Sequence, residues 1–217
     1  MKSKLGWIIF GLLLVIPRVL RMMWTDVQIE DPNYIYGAFL IMKGMLPFAE
    51  FAQVNPPLLE SIIAVFYKIF GVSHRVAEVM SALAFLFSAL MVFVLGSRTV
   101  NRAAGVAGSL MYSWHFLLFR YHVFERETFA TLAILVGLEF LTRKEQTPWS
   151  SLAAGLVMGF GFACKQTALI PYAAIFAFIL VCRRDWRAAL KLGLGFCFFT
   201  GLMTIGYSLA FGKLYME

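Results

Sequence analysis

The sequence predicts an all-α polytopic membrane helix bundle of about seven transmembrane helices, with half-embedded amphipathic helices in its first outer loop. Three observations carry this prediction. Of the 217 residues, 61% are hydrophobic and 14% charged, with a mean hydropathy of +0.79. A soluble domain is nearer to about 45–50% apolar and about 25% charged. Charge-free apolar runs recur along the whole chain. At about 20 residues per span, this length holds about six to eight helices and leaves little for a soluble domain.

The same numbers exclude other classes. Disorder needs low hydrophobicity and high net charge. Gly 17, Pro 7 and Cys 3 exclude collagen-like and disulfide-rich folds. The net charge of +7 reads as cytoplasmic loop charge rather than nucleic-acid binding. Cys164, Cys182 and Cys197 lie within apolar runs, without a CxxC pair, and read as small buried hydrophobes. His74, His115 and His122 have no ligand spacing, so neither a metal nor a cofactor is expected.

The expected spans, in order, are Leu5–Pro17, Val79–Ser97, Ala103–Phe119, Thr128–Leu138, Gln146–Cys164, Gln166–Cys182 and Leu192–Gly212. The first follows Lys2 and Lys4 but has no small-residue cleavage site after it. Arg18, Arg21 and Trp24 read as an interfacial anchor, so this is an uncleaved helix. Residues 24–75 break the apolar pattern. They hold seven charged residues before Arg75 and four of the seven prolines, at Pro32, Pro47, Pro56 and Pro57. The short amphipathic pieces Tyr34–Met42 and Leu58–Phe70 read as lying in the interface. Gly155 and Gly159 have helix-packing spacing.

With the N-terminus inside, four short segments face the cytoplasm: the N-terminus, Arg98–Arg102, Arg143–Ser150 and Arg183–Lys191. They hold 10 of the 19 basic residues, while 9 of the 12 acidic ones fall outside. Short basic inner loops are what the positive-inside rule expects.

Two acidic clusters then share the outer face. Asp26, Glu30 and Asp31 follow the first helix, and Glu125 and Glu127 precede the fourth. Carboxylates near hydrocarbon are costly, so distant acids meeting at one face point to a site. The plainer alternative is a set of interfacial acids paired with Arg18, Arg21, Arg120 and Arg126. Asp31-Pro32 is a good helix start, which sets Glu30 at the head of a helix whose dipole keeps it ionised. Asn55-Pro56-Pro57 fixes the chain before Leu58. Lys165, between two apolar runs, either snorkels or holds a phosphate.

These pieces occur in a recognisable order: "EDPNYIYGAFLIMKGMLPFAEF", then "NPPLLESIIAVFYKIFGVSHRVAE", then "FERETFATLAILVGLEF", then "GLVMGFGFACKQTALI". The ordered set resembles the GT-C superfamily of polytopic glycosyltransferases, in particular the protein mannosyltransferase and aminoarabinose transferase group. That resemblance implies transfer of a sugar from a polyprenyl- or dolichyl-phosphate donor to an acceptor hydroxyl of a glycan, lipid or protein. It further implies the family's usual inverting stereochemistry and a reaction on the outer face of the plasma (inner) membrane. It implies that Glu30 and Asp31 match the first acidic motif with Tyr34 beside it, that Glu127 matches the second acid, and that Lys165 matches the helix-five Lys. Three departures stand out. Glu30-Asp31 inverts the usual Asp-Glu order, Asn55 replaces the Lys of Lys-Pro-Pro, and Asn33 stands where some members carry Arg. Lys43, Arg120, His122 and Arg126 are the candidates for the missing phosphate partner, with Glu125 beside them. The family implies one module over 1–217, the N-terminal part of a longer pattern. A transporter or flippase, or a non-catalytic partner of a larger transferase, are the alternatives.

Overall fold

The computed structural model describes residues 4–24, 32–52, 55–118, 126–145 and 147–211. Among them the fold is helical, and the one sheet-like pairing is an isolated bridge between Pro47 and Phe51. The helices are α1 (Lys4–Trp24), α2 (Pro32–Met42), α3 (Leu58–Phe70), α4 (His74–Thr99), α5 (Arg102–Leu118), α6 (Arg126–Thr142), α7 (Ser150–Cys164), α8 (Leu169–Ala177) and α9 (Trp186–Phe211). A 3-10 turn, Gln166–Ala168, leads into α8, and a π-helical turn, Phe178–Cys182, continues it. Each expected span overlaps a described helical stretch, and the two short pieces of the 24–75 stretch are α2 and α3. Among the described residues two helices, His74–Thr99 and Trp186–Ala210, are long and apolar enough to cross a membrane by length and composition.

Several boundaries differ from the sequence expectation. The first helix does not stop at Pro17 but runs on to Trp24. A proline removes one backbone donor, and the flanking turns of this long apolar helix carry it past that gap. The fourth expected span extends to Arg126–Thr142, because Glu127 and Glu139 are accommodated by partners at its two ends. The fifth begins at Ser150 rather than Gln146, after a turn in which the Ser150 hydroxyl accepts from the Thr147 backbone N–H. The cysteines also divide. Cys164 is buried, but Cys182 and Cys197 lie on the outer surface of the bundle.

α2 and α3 fold back on each other as a hairpin. Leu59, Ile63 and Tyr67 are buried at helical spacing and meet Ala38 of α2 and Ala77 of α4. Gly71, at φ 84°, ends α3, and the Ser73 hydroxyl accepts from the Arg75 N–H to start α4. α7 and α9 pack backbone against backbone. A Cβ on Gly155 would lie 2.1 Å from the Leu192 carbonyl oxygen, and one on Gly195 would lie 2.2 Å from that of Leu152. Only glycine lets two backbones approach this closely. α6 is held on the other side of α7, where Gly137 meets Met158.

The bundle has two chemically different ends. At one, Glu139 pairs with both Arg98 and Arg143 at 2.9 Å, Lys191 donates to the Pro148 carbonyl oxygen, and Arg102 lies over the Trp7 ring. The basic segments assigned to one side by charge therefore gather at one end. The candidate site residues that are described lie at the opposite end.

Candidate functional site

Four chain segments converge there. Tyr34 sits in the first turns of α2. Asn55 precedes the Pro56-Pro57 turn and is buried. Its side-chain amide donates to the Tyr34 hydroxyl at 3.4 Å. The prolines fix the backbone so that α3 begins at Leu58 and sets Glu60 in its first turn. Arg126 and Glu127 are the first two residues of α6. Lys165 follows α7 in an extended conformation, at the bend into the 3-10 turn.

Beneath the site lies a buried ion pair between Glu60 and Arg126, both side chains at 0% exposure. Ionised groups are rarely enclosed without a partner, because removing each from water costs several kcal/mol. The Arg126 guanidinium carbon also sits 3.5 Å from the centre of the Tyr34 ring. A guanidinium over an aromatic face contributes about 0.5–2 kcal/mol. Glu60 in the first turn of α3 is favoured by that helix's dipole, whereas Arg126 at the head of α6 is opposed by its own. The carboxylate of Glu60 offsets that opposition.

Above it, Lys165 Nζ lies 2.8 Å from Glu127 Oε1, with 22% and 52% of the two side chains exposed. This pair is the accessible part of the site. The hydrogen bond to Glu127 holds the Lys165 ammonium above the usual lysine range, against partial burial and against the nearby Arg126 charge. Next to it, a groove of about 250 Å³ runs between α6 and the start of α8. Glu127 and Thr167 stand at its polar end, and Ala130, Ile134, Leu135 and Pro171 line its apolar wall. The arrangement can thus offer a carboxylate, a cation for an anionic group and an apolar channel beside both.

The structure brings together Tyr34, Asn55, Arg126, Glu127 and Lys165. Glu30, Asp31, Arg120, His122 and Glu125 lie outside the described residues. Lys43, one candidate substitute for the missing phosphate partner, sits over the Phe39 ring instead. Two of the four arginines in the plainer acid–arginine alternative, Arg18 and Arg126, have described partners. Arg126 pairs with Glu60 of α3. Arg18 is buried, donates to the Ser81 hydroxyl at 3.0 Å and lies over the Phe85 ring. Among the described residues no three His, Cys, Asp or Glu side chains gather as a metal site.

Glu60 is the residue that sequence reasoning missed. Its signal was present in the helical spacing. Glu60, Ile63, Ala64 and Tyr67 share one face of α3, so the acid occupies a position on the apolar stripe.

The model of the dolichyl-phosphate-mannose-protein mannosyltransferase family matches residues 54–206 of the chain. That stretch runs from the Asn55-Pro56-Pro57 turn through most of α9. No curated protein and no solved structure matches significantly.

Proposed function

Since the chain belongs to the dolichyl-phosphate-mannose-protein mannosyltransferase family, a GT-C-type family, we propose that it is a membrane glycosyltransferase drawing sugar from a lipid-phosphate donor. The donor is a polyprenyl- or dolichyl-phosphate sugar, and the acceptor is a hydroxyl group on the outer face. In this reading seven helices cross the membrane, with the N-terminus and the Arg98–Glu139–Arg143 end in the cytoplasm. The positive-inside distribution of the loops supports that orientation.

The exposed Glu127–Lys165 pair beside an apolar groove is the observation that carries the reading. A lipid-phosphate sugar has three parts: an apolar tail, an anionic phosphate and a sugar carbon open to attack. The groove suits the tail and Lys165 the phosphate. A cationic partner stabilises the phosphate as it leaves with growing charge. A carboxylate takes the acceptor's proton as its oxygen bonds to the sugar carbon, and the bond to phosphate breaks. Glu30 is assigned this base role, with Asp31 and Glu127 as the other acids of the two motifs. A base must come within about 2.6–3.2 Å of the proton it removes.

The test is transfer from radiolabelled dolichyl-phosphate mannose by the protein in lipid nanodiscs. Glu30→Gln, Asp31→Asn and Glu127→Gln are each expected to abolish transfer while the protein stays in the membrane. Unchanged transfer in all three overturns the catalytic assignment.

Asn55 supports a second reading. Where the family pattern has a lysine, the buried Asn55 amide is neutral and turned to Tyr34. A non-catalytic partner of a larger transferase fits that loss. Copurification with such an enzyme, together with tolerance of all three amide substitutions, supports this second reading over the first.

A further inference from the structure

We propose that Glu60 is a positioning residue for this site: by holding Arg126, it fixes the first turn of α6 and so sets Glu127 against Lys165. The inference deepens the transferase reading and rests on it for the reaction served, but its geometry stands on its own.

The chain of contacts has three links. Glu60 and Arg126 form the wholly buried pair that joins α3 to α6. The Arg126 guanidinium lies over the Tyr34 ring, which ties the same point to α2. Glu127 is the next residue along α6, and its carboxylate meets Lys165, which hangs from the end of α7. The helix turn carrying Arg126 also carries Glu127, so whatever fixes one backbone fixes the other.

Burial sets which half of this arrangement can move. The Glu60–Arg126 pair is enclosed, whereas Glu127 is half exposed and lies on a long side chain. An exposed ion pair by itself holds geometry weakly, because it gains little energy and gives up side-chain freedom. A buried one resists separation, since either charge left alone is costly. The rigid element therefore lies below and the reactive pair rides on it. This is the support that a functional pair needs if it is to be held within a fraction of an ångström of its working geometry.

Glu60 reaches no exposed surface, so it acts through Arg126 rather than on substrate. A purely architectural role for Glu60 predicts a loss of folded protein with an intact Glu127–Lys165 pair in whatever remains folded. Positioning predicts a folded protein in which that pair has come apart.

The experiment reads the pair directly. The lysines of the detergent-solubilised full chain are reductively methylated with carbon-13, and the Lys165 signal is assigned by its loss in Lys165→Arg. Its titration midpoint is then followed in wild type, Glu127→Gln, Glu60→Gln and Glu60→Asp, with thermal melting as the measure of folding. Glu60→Asp keeps the charge and shortens the reach, so it stays informative if Glu60→Gln does not fold. In the folded Glu60 variants the Lys165 midpoint is expected to fall to the Glu127→Gln value. A wild-type midpoint in Glu60→Asp, or in folded Glu60→Gln, overturns the proposal. Transfer from dolichyl-phosphate mannose is measured in parallel and is expected to drop about ten- to a hundred-fold in Glu60→Asp, the scale of a small misplacement of reacting groups. Failure of wild type to transfer counts against the transferase reading alone, because the Lys165 signal decides the role of Glu60 without it.

Discussion

Glu60 of α3 and Arg126 of α6, 66 positions apart in the numbering, form an ion pair with neither side chain exposed. Removing one member of such a pair leaves the other charge buried alone, at a cost of about 3–5 kcal/mol. Replacing both with apolar residues of similar volume is expected to be far milder. Arg126→Met should therefore melt well below wild type, and Glu60→Leu/Arg126→Met should recover most of the difference. Thermal melts of the purified variants in one detergent check this. A double variant as unstable as the single one refutes it.

That pair also marks the boundary between what the sequence reveals and what it does not. The seven longer helical stretches and the two short helices follow from apolar runs and punctuation, and each appears near its expected place. Local signals suffice for them: Pro56-Pro57 before α3, Gly71 after it, and an uncharged stretch for every long helix. The site was half legible. Glu127 and Lys165 stood out as charges at the ends of apolar runs, but their contact joins residues 38 positions apart, which no local pattern specifies. Glu60 was hidden for a different reason. An acid on a short amphipathic helix reads as solvent-facing unless the partner that neutralises it is known, and here that partner lies on another helix. The cysteines were misjudged in the opposite direction. In a bundle whose outer surface is apolar, a small hydrophobe such as Cys197 is as well placed on the outside as in the core.

The α7–α9 contact supports a second prediction. Gly155→Ala places a methyl carbon 2.1 Å from the Leu192 carbonyl oxygen, a backbone atom that cannot swing away. The two helices must separate, and overpacking of this kind costs about 1–3 kcal/mol. Gly11→Ala on α1 is the control, since nothing lies within 4 Å of a Cβ there. It should be neutral or stabilising by up to about 1 kcal/mol, from higher helix propensity. Equal melting temperatures for the two variants contradict the close approach.

The proposed orientation yields a third prediction, because Cys182 is exposed beside the Arg183–Arg187 segment. With that segment in the cytoplasm, a membrane-impermeant maleimide is expected to label Cys182 in inside-out vesicles and not in right-side-out ones. Cys197, inside an apolar helix, should label from neither side, since the charged, impermeant reagent does not enter the hydrocarbon core. Labelling of Cys182 from the outer side reverses the topology and moves the candidate site to the cytoplasmic face.

The pH dependence of the Glu127–Lys165 pair gives the fourth. Its hydrogen bond raises the Lys165 pKa in the folded protein above the usual lysine value. A raised folded-state pKa contributes stability that is fully present below the unfolded lysine value of about 10.4 and is lost as pH rises through the folded value. Wild type should therefore melt above Glu127→Gln by a constant margin between neutral pH and about pH 9, and the margin should close in stronger alkali. The margin is small, about 1 kcal/mol or less, because both side chains are partly exposed. The same substitution removes a carboxylate that competes with any phosphate for the Lys165 ammonium. Glu127→Gln is accordingly expected to bind polyprenyl phosphate about three-fold tighter than wild type, and Lys165→Gln to bind it more weakly, since a charge-assisted hydrogen bond is gained in one and lost in the other. Fluorescence titration of the nanodisc-embedded proteins measures both. Weaker binding by Glu127→Gln means that the carboxylate helps to build the phosphate seat instead of filling it.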